Sequence, residues 1–218
     1  MDEETNAIEV TRQTYDLIAS DYSSMIDELV SDSWIGEFEG KLLDRFLLTT
    51  KLLNPSILDI GCGNGKDTHY LRQKGAVLVG MDISSGMLRE ARKRVPEGIF
   101  YQMDMRNLGF PNAVFDGVWA NGCIYHVPKI DFAQVLQEIL RVLGPSGTFS
   151  FNFKVGIGER LEETPGSFAG GPRFYAYYTI KQMASFLAQA GFEILEIKRY
   201  PQRILGEKIV HIWAHKLK

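Results

Sequence analysis

The chain of 218 residues is 45% hydrophobic and 23% charged, with a formal net charge of −3. This composition is ordinary for a globular protein with one large domain, and it lacks the excess of Lys and Arg on which nucleic-acid binding depends. Two cysteines are too few for a metal cluster, and the sequence shows no long apolar run, signal peptide or lipidation motif, so we expect a cytoplasmic protein without membrane contact.

Two amphipathic helices are predicted at the start of the chain. Apolar residues recur at helical spacing from Ile8 to Val30, and a second helix is expected to begin after Ser33 and to stop at Asn54-Pro55. Strands and helices then alternate. The predicted strands are 57–60, 76–82, 98–103, 115–120 and 147–154, the predicted helices are 65–74, 84–94, 131–143 and 179–190, and a hairpin of strands 192–199 and 207–215 turns around Pro201 and Gly206.

This alternation predicts an α/β fold with a mainly parallel sheet and helices on both faces, to which the hairpin adds an antiparallel strand. Residues at the helix ends support it. The predicted caps are Gly75 and Gly144 at C-terminal ends, Ser84 and Asp131 at N-terminal ends, and a capping box of Thr179 with Gln182. In such sheets the ligand lies beyond the carboxyl ends of the strands.

The segment Ile57–Lys66 is typical of a strand that enters a glycine-rich turn and then a helix. It does not match a dinucleotide fingerprint, because Lys66 occupies the position of the last glycine. It does not match a phosphate-binding loop either, because Asp67 follows Lys66 where Ser or Thr is needed. Asp59 adds negative charge before the turn, so the segment favours a nucleoside with a cationic or zwitterionic tail over a pyrophosphate.

Five blocks resemble, in the same order, those of the class I S-adenosylmethionine-dependent methyltransferases. They are Leu58–Gly65, Val79–Asp82, Gln102–Met105, Phe115–Ala120 and Ile139–Gly147. The resemblance covers roughly residues 40 to 215. It implies a seven-stranded Rossmann-like sheet, S-adenosylmethionine as cofactor and S-adenosylhomocysteine as product. It also implies that residues 1–50 form an N-terminal helical lid and residues 51–218 the methyltransferase domain.

The resemblance also predicts which residues bind the cofactor. Asp82 lies where an acid can accept hydrogen bonds from both ribose hydroxyls, although it could also cap the following helix. Asp104 is expected to accept from the adenine amino group, and Asp59 to orient amides of the turn or the ligand's amino group. The predicted cofactor-binding residues are Tyr22, Asp59, Gly61, Cys62, Gly63, Asp82, Ile83, Met87, Asp104, Met105, Asn121 and Gly122.

His126 follows the fourth strand and is the candidate catalytic residue, a base for acceptors that must lose a proton. The alternative is a histidine that only forms hydrogen bonds within its loop. Methyl transfer depends mainly on holding donor and acceptor in line, so a base is needed only for some acceptors. Tyr22 is expected to lie near the sulfonium, where an aromatic ring gains cation–π stabilisation.

The connection between 155 and 178 is predicted to be a long binding loop, because ordered loops of this length tend to be functional. Arg173 lies there among aromatic residues and can grip a carboxylate. The alternative is a glycine-rich surface loop. The predicted substrate-binding residues are Tyr15, Tyr125, Arg173 and Tyr175.

The sequence therefore predicts a methyltransferase, monomeric or homodimeric, that transfers a methyl group to an oxygen or nitrogen of a small polar molecule. A tRNA methyltransferase of the wobble-uridine type is the first alternative, since Arg173-Phe174-Tyr175 resembles that family, but the acidic balance makes nucleic acid an unlikely partner. A cofactor-binding protein without catalysis and a nicotinamide oxidoreductase are further alternatives, and Lys66 disfavours the last.

Overall fold

The computed structural model describes residues 3–31, 33–163, 170–200 and 208–217. The helices are α1 (Glu3–Ser31), α2 (Ser33–Thr50), α3 (Lys66–Gln73), α4 (Ser85–Arg94), α5 (Lys129–Val142) and α6 (Ile180–Ala190). The strands are β1 (Ser56–Ile60), β2 (Val77–Asp82), β3 (Ile99–Gln102), β4 (Phe115–Ala120), β5 (Leu143–Val155), β6 (Glu159–Glu163), β7 (Pro172–Tyr178), β8 (Phe192–Arg199) and β9 (Ile209–Lys216). Among the described helices, none combines the length and the apolar character needed to cross a membrane.

Seven strands form the expected sheet. Strands β3, β2, β1, β4 and β5 pair in this order and are all parallel, whereas β9 joins β5 in antiparallel register and β8 pairs with β9. The predicted parallel sheet with an antiparallel C-terminal hairpin is confirmed. The predicted turn at Pro201 and Gly206 lies outside the described residues.

The connection that was expected to be a loop instead contains two strands. Strands β6 and β7 form an antiparallel hairpin, and the end of β5 pairs in parallel with the end of β7. The prediction of an irregular loop was wrong. The glycines before β7 suggested a loop, but the aromatic residues that follow them favour a strand. In that run Arg173 and Tyr175 alternate with Phe174, so the first two share one face of the strand.

Alternation along the strands divides the core between the two faces of the sheet. Leu58 and Val118 face a cluster that contains residues of α5 and α6, whereas Ile57 and Trp119 face a second cluster with residues of α2 and α3. All four residues are at most 1% exposed. Because both faces are covered by helices, the carboxyl ends of the strands are the natural opening for a ligand.

Most of the predicted helix ends are confirmed. Ser84 accepts a hydrogen bond from the backbone N–H of Met87, Thr179 and Gln182 form a capping box, and Gly75 follows α3 in the left-handed region. Two predicted ends were wrong. Helix α5 begins at Lys129, before Asp131, whose carboxylate pairs with Arg106, and Gly144 belongs to β5 because the chain becomes extended directly after Val142.

Helix α1 is fixed to the rest of the protein by polar contacts at two places. The carboxylate of Asp16 accepts hydrogen bonds from the hydroxyl of Ser84 and the backbone N–H of Gly86, both at 2.7 Å, at the start of α4. The hydroxyl of Thr14 donates to the carbonyl of Pro172 in β7, also at 2.7 Å. The helix therefore covers the edge of the sheet between α4 and β7.

Candidate active site

The glycine turn after β1 is shaped by backbone angles that disfavour other residues. Gly61, Gly63 and Gly65 have φ angles of +64°, +54° and +76°. A Cβ on Gly61 would lie 2.4 Å from the Cβ of Cys123, whereas a Cβ on Gly63 would meet nothing within 4 Å. Gly61 thus permits close packing between the turn and the segment after β4, and Gly63 leaves open space beside the backbone.

Asp82 at the end of β2 holds this turn. Its carboxylate accepts from the backbone N–H of Gly63 at 2.9 Å and from that of Ser84 at 2.8 Å. Burial raises the pKa of Asp82 to about 6, although these backbone hydrogen bonds oppose the rise. The helix cap is Ser84, so Asp82 is available to face a ligand as well as to join the turn to α4.

Two cavities lie at the carboxyl ends of the strands. The smaller chamber, of about 120 Å³, lies beside the ends of β2 and β3. Of the residues predicted to bind the cofactor, it is lined by Tyr22, Gly61, Gly63, Asp82, Ile83, Met87, Asp104, Met105, Asn121 and Gly122. Residues from five separate segments therefore converge here, as the resemblance implies.

The larger chamber, of about 340 Å³, lies beside α1, α2, β5 and β7. It is lined by the two remaining predicted cofactor residues, Asp59 and Cys62, and by all four predicted substrate residues, Tyr15, Tyr125, Arg173 and Tyr175. Six residues line both chambers, which therefore adjoin each other: Tyr15, Tyr22, Gly61, Gly63, Asn121 and Gly122. We call this shared boundary the junction.

Two buried cations line the larger chamber. Arg173 is 2% exposed and Lys154 is 6% exposed. The ammonium of Lys154 lies 3.7 Å from the ring centroid of Tyr175, and the guanidinium of Arg173 lies 5.3 Å from that of Tyr15. Cations held against phenol rings in a low-dielectric cavity suit a ligand that carries negative charge.

A polar network also lines the larger chamber. The carboxylate of Asp67 accepts from the indole N–H of Trp119 at 2.9 Å and from the side-chain amide of Asn121 at 3.1 Å, and it pairs with Lys66. Lys66 also reaches Glu39 of α2 at 2.7 Å. This network holds Asn121 at the junction.

Asp59 has a different partner from the predicted amides of the turn. Its carboxyl accepts a hydrogen bond from the hydroxyl of Thr68 in α3. Burial and, to a lesser extent, the charge of Asp67 raise the pKa of Asp59 to about 8, so the group is mostly protonated at neutral pH. Its predicted contact with the amino group of a ligand stays a prediction.

Asp104 lines the smaller chamber, but its carboxylate is already oriented by a cation. Both oxygens accept from the guanidinium of Arg106, at 2.7–3.2 Å, and the same guanidinium donates to Asp131 at 2.8 Å. The predicted hydrogen bond to an adenine amino group is compatible with this position and remains untested.

His126 lies in a short 3-10 turn after β4 and lines the smaller chamber. Its Nδ1 is 2.6 Å from the carbonyl oxygen of Phe174, and its Nε2 is 3.0 Å from the hydroxyl of Tyr15. Burial lowers the pKa of His126 to about 3. The structure thus brings the histidine close to the junction, but it gives both ring nitrogens partners within the protein.

Several residues of the two chambers were missed by sequence reasoning. The larger chamber also contains Ile26, Leu29, Ile35, Glu39, Lys66, Asn152, Tyr200 and Ile209, and the smaller one contains Ile8, Thr11 and Met103. Asn152 and Lys154 lie two residues apart on β5, so the strand period could have placed both on the face that carries the cavity. The residues from α1 and α2 leave no such signal, since apolar helix positions look the same whether they cover a core or a cavity.

The sequence of the central region matches a known family. Residues 57–147 match a family model described as a methyltransferase domain. The chain is 36% identical over 120 residues to the trans-aconitate 2-methyltransferase of Azoarcus sp. strain BH72, with 52% of this chain and 46% of that protein covered. It is 32% identical over 152 residues to the demethylmenaquinone methyltransferase of Symbiobacterium thermophilum, with coverage of 63% and 56%. The chain thus spans about half the length of these relatives.

The fold is shared with solved structures. The 1,6-didemethyltoxoflavin-N1-methyltransferase of Burkholderia thailandensis, solved with 1,6-didemethyltoxoflavin and S-adenosylhomocysteine bound, superposes with a TM-score of 0.69. The two chains are 23% identical, and the alignment covers 95% of this chain and 91% of that one. Residues 57–147 thus match a methyltransferase domain in sequence, and the chain shares the fold of this solved methyltransferase.

Proposed function

We propose that this protein is an enzyme that binds S-adenosylmethionine across the two chambers and transfers its methyl group to an oxygen or nitrogen of a small polar molecule. The observation that carries the proposal is the pair of adjoining cavities, one lined by the predicted cofactor residues and the other by the predicted substrate residues. Relatives that act on small molecules, such as trans-aconitate 2-methyltransferase, support it.

The residues present fit this cofactor. Open space beside Gly63 allows a ligand to approach the main chain, and the carboxylate of Asp82 lies next to it for hydroxyl groups of a ribose. Ile83 and Met87 provide apolar contacts in the same chamber. When bound, S-adenosylmethionine supplies a methyl group that its positive sulfur already activates.

The protein's own contribution is to bring two molecules together and exclude water. The boundary between the chambers is formed by backbone at Gly61 and Gly122 and by the ring of Tyr22, so reacting groups from both sides can approach closely there. Such positioning is the main source of rate enhancement when no covalent intermediate is required. Arg173 and Lys154 favour an acceptor with a carboxylate at its distal end.

Residues 1–50 act as a lid in this proposal, and residues 51–218 form the methyltransferase domain. Tyr15 and Tyr22 of α1 line both chambers, so a ligand that fills the chambers contacts this helix. We also propose that the protein is cytosolic and that it is a monomer or a homodimer. Cell fractionation would test the location, and gel filtration would test the oligomeric state.

Calorimetry with the full chain and S-adenosylhomocysteine tests cofactor binding. We expect Asp82→Asn to weaken binding roughly 10- to 100-fold, because a hydrogen bond to a charged group contributes about 1.5–3 kcal/mol. Glu193→Gln, an exposed acid on β8, is the matched control. Absence of binding by the wild-type protein would refute the proposal.

A screen with labelled methyl donor tests the acceptor. Metabolites would be offered as pairs of carboxylic acid and amide, alongside tRNA at low and high salt. We expect turnover on an acid, reduced by Arg173→Ala. Methylation of tRNA with strong salt dependence would favour the wobble-uridine alternative, and binding of S-adenosylhomocysteine without any turnover would favour a non-catalytic protein.

A further inference from the structure

The hydrogen bonds of His126 fix where its proton lies. The carbonyl oxygen of Phe174 can only accept, so Nδ1, at 2.6 Å, must carry the proton and donate it. In the neutral ring Nε2 is then an acceptor, and the hydroxyl of Tyr15, at 3.0 Å, donates to it. The two hydrogen bonds therefore run in one direction, from the Tyr15 hydroxyl to His126 and from His126 to the carbonyl of Phe174.

The surroundings of His126 keep the ring neutral. It is partly buried, and the titratable groups that face it are Tyr15 from α1, Tyr125 beside it, Lys154 from β5, and Tyr175 and Arg173 from β7. Burial is the main cause of its lowered pKa, and the charges of Lys154 and Arg173 lower the pKa further. A base in this position would have to hold a second proton beside two cations.

Tyr15 connects this histidine to the junction. Its ring lines both chambers and is held edge-on against Tyr22, with centroids 5.8 Å apart, and against His126, with centroids 5.5 Å apart. Its hydroxyl proton is directed at His126, and its oxygen accepts a hydrogen bond from the guanidinium of Arg173, so the second lone pair of the oxygen remains for a further group that donates a hydrogen bond. Burial also raises the pKa of Tyr15 well above its ordinary value, so the hydroxyl stays neutral.

We propose that His126 is a positioning residue that holds the Tyr15 hydroxyl, and that the Tyr15 oxygen accepts a hydrogen bond from an N–H group of the methyl acceptor at the junction. This inference rests on the proposed function. It assigns the contact with the reacting group to a tyrosine of the lid helix, and it limits the acceptor to groups that are reactive without prior removal of a proton, such as a neutral amine.

Nuclear magnetic resonance of the full chain with ¹⁵N-labelled histidine tests the first half without any need for methyl transfer. The chain has four histidines, and signals lost in His126→Gln identify the one in question. We expect a neutral ring protonated at Nδ1 throughout pH 5.5–8.5, with and without S-adenosylhomocysteine. A titration midpoint between pH 6 and 8 would overturn the proposal, whatever the enzyme methylates.

Turnover of the acceptor found by the screen tests the second half. Tyr15→Phe keeps the ring and removes the oxygen, and we expect about a ten-fold loss of kcat/KM, which corresponds to about 1.4 kcal/mol. His126→Leu should cause a similar loss, and the double variant should be no worse than either single one, because both disrupt one contact. Affinity for S-adenosylhomocysteine should change little in Tyr15→Phe.

The conservative variant His126→Gln separates positioning from proton transfer. An amide oxygen can accept from Tyr15 in place of Nε2 but cannot act as a base. We expect His126→Gln to recover most of the activity lost in His126→Leu, with the same pH profile as the wild type. If His126→Gln is as damaging as His126→Leu and the acid limb of the profile disappears, His126 is a base and the proposal fails. Failure of the proposed function would appear instead as absent turnover in the wild type.

Discussion

Alanine substitutions of two glycines in the same turn should differ in their effect on stability. Gly61 and Gly63 have similar positive φ angles, so alanine at either position carries a similar conformational cost, about 1–2 kcal/mol. Only Gly61 faces packed atoms, since a Cβ there would lie 2.4 Å from Cβ and 2.9 Å from Sγ of Cys123. Overpacking of this kind costs about 1–3 kcal/mol more.

We therefore expect Gly61→Ala to lower the free energy of unfolding by about 2–5 kcal/mol and Gly63→Ala by about 1–2 kcal/mol. Urea unfolding of the ligand-free protein, followed by circular dichroism and by tryptophan fluorescence, measures both values and checks that the transition is two-state. Gly63→Ala should instead weaken binding of S-adenosylhomocysteine. Gly63 lines both chambers, and the added methyl group would occupy the open space beside it. Equal losses of stability in the two variants would show that contact with Cys123 is not what requires glycine at position 61.

Two further changes test the acid below the turn and the anchor of the lid. The pKa of Asp59 is about 8 in the folded protein against an ordinary 3.8, so the stability that its protonated form contributes is full below pH 4 and is lost as the pH rises towards 8. Between pH 5 and pH 8 the free energy of unfolding of the wild type should therefore fall by up to about 1.4 kcal/mol per pH unit more than that of Asp59→Asn. Parallel curves for the two proteins would contradict this. Asp16→Asn removes the charge of the carboxylate that accepts hydrogen bonds from Ser84 and Gly86. We expect the backbone amides of α1 to exchange hydrogen at least about ten-fold faster in this variant, as measured by mass spectrometry. Asp21→Asn, on the exposed side of the same helix, should leave the exchange rates unchanged.

The elements of this protein could be predicted closely from local sequence. The run of apolar residues before Gly61 indicates β1, and the side chains of Ser84 and Thr179 mark the starts of α4 and α6 because they satisfy backbone N–H groups that would otherwise lack partners. The prediction failed at Asp131, where the residue type suits a cap but an ion pair with Arg106 uses the carboxylate instead. A long-range contact of this kind leaves no local pattern.

The sequence also indicated which strand ends carry the residues that we propose for the cofactor, since the carboxyl ends of parallel strands must meet at one edge of the sheet. Asp82 and Gly63 lie within hydrogen-bonding distance for that reason. What the sequence by itself could not determine is what faces them from elsewhere. The β6–β7 hairpin brings Arg173 into the larger chamber, and α1 brings Tyr15 to His126, a residue 111 positions away in the chain.

These two placements depend on how α1 and the β6–β7 hairpin pack against the sheet. The local sequence of neither element predicts that packing. A histidine after a strand is an equally good base or hydrogen-bonding group until the atoms beside its two nitrogens are known. In this protein those atoms are a backbone carbonyl and a phenol, and burial with two neighbouring cations sets the charge of the ring. The local sequence thus determined the scaffold and the edge of the sheet at which we propose the cofactor site. The tertiary structure decided which side chains meet at the junction, because proton positions and charges depend on neighbours that are distant in the chain.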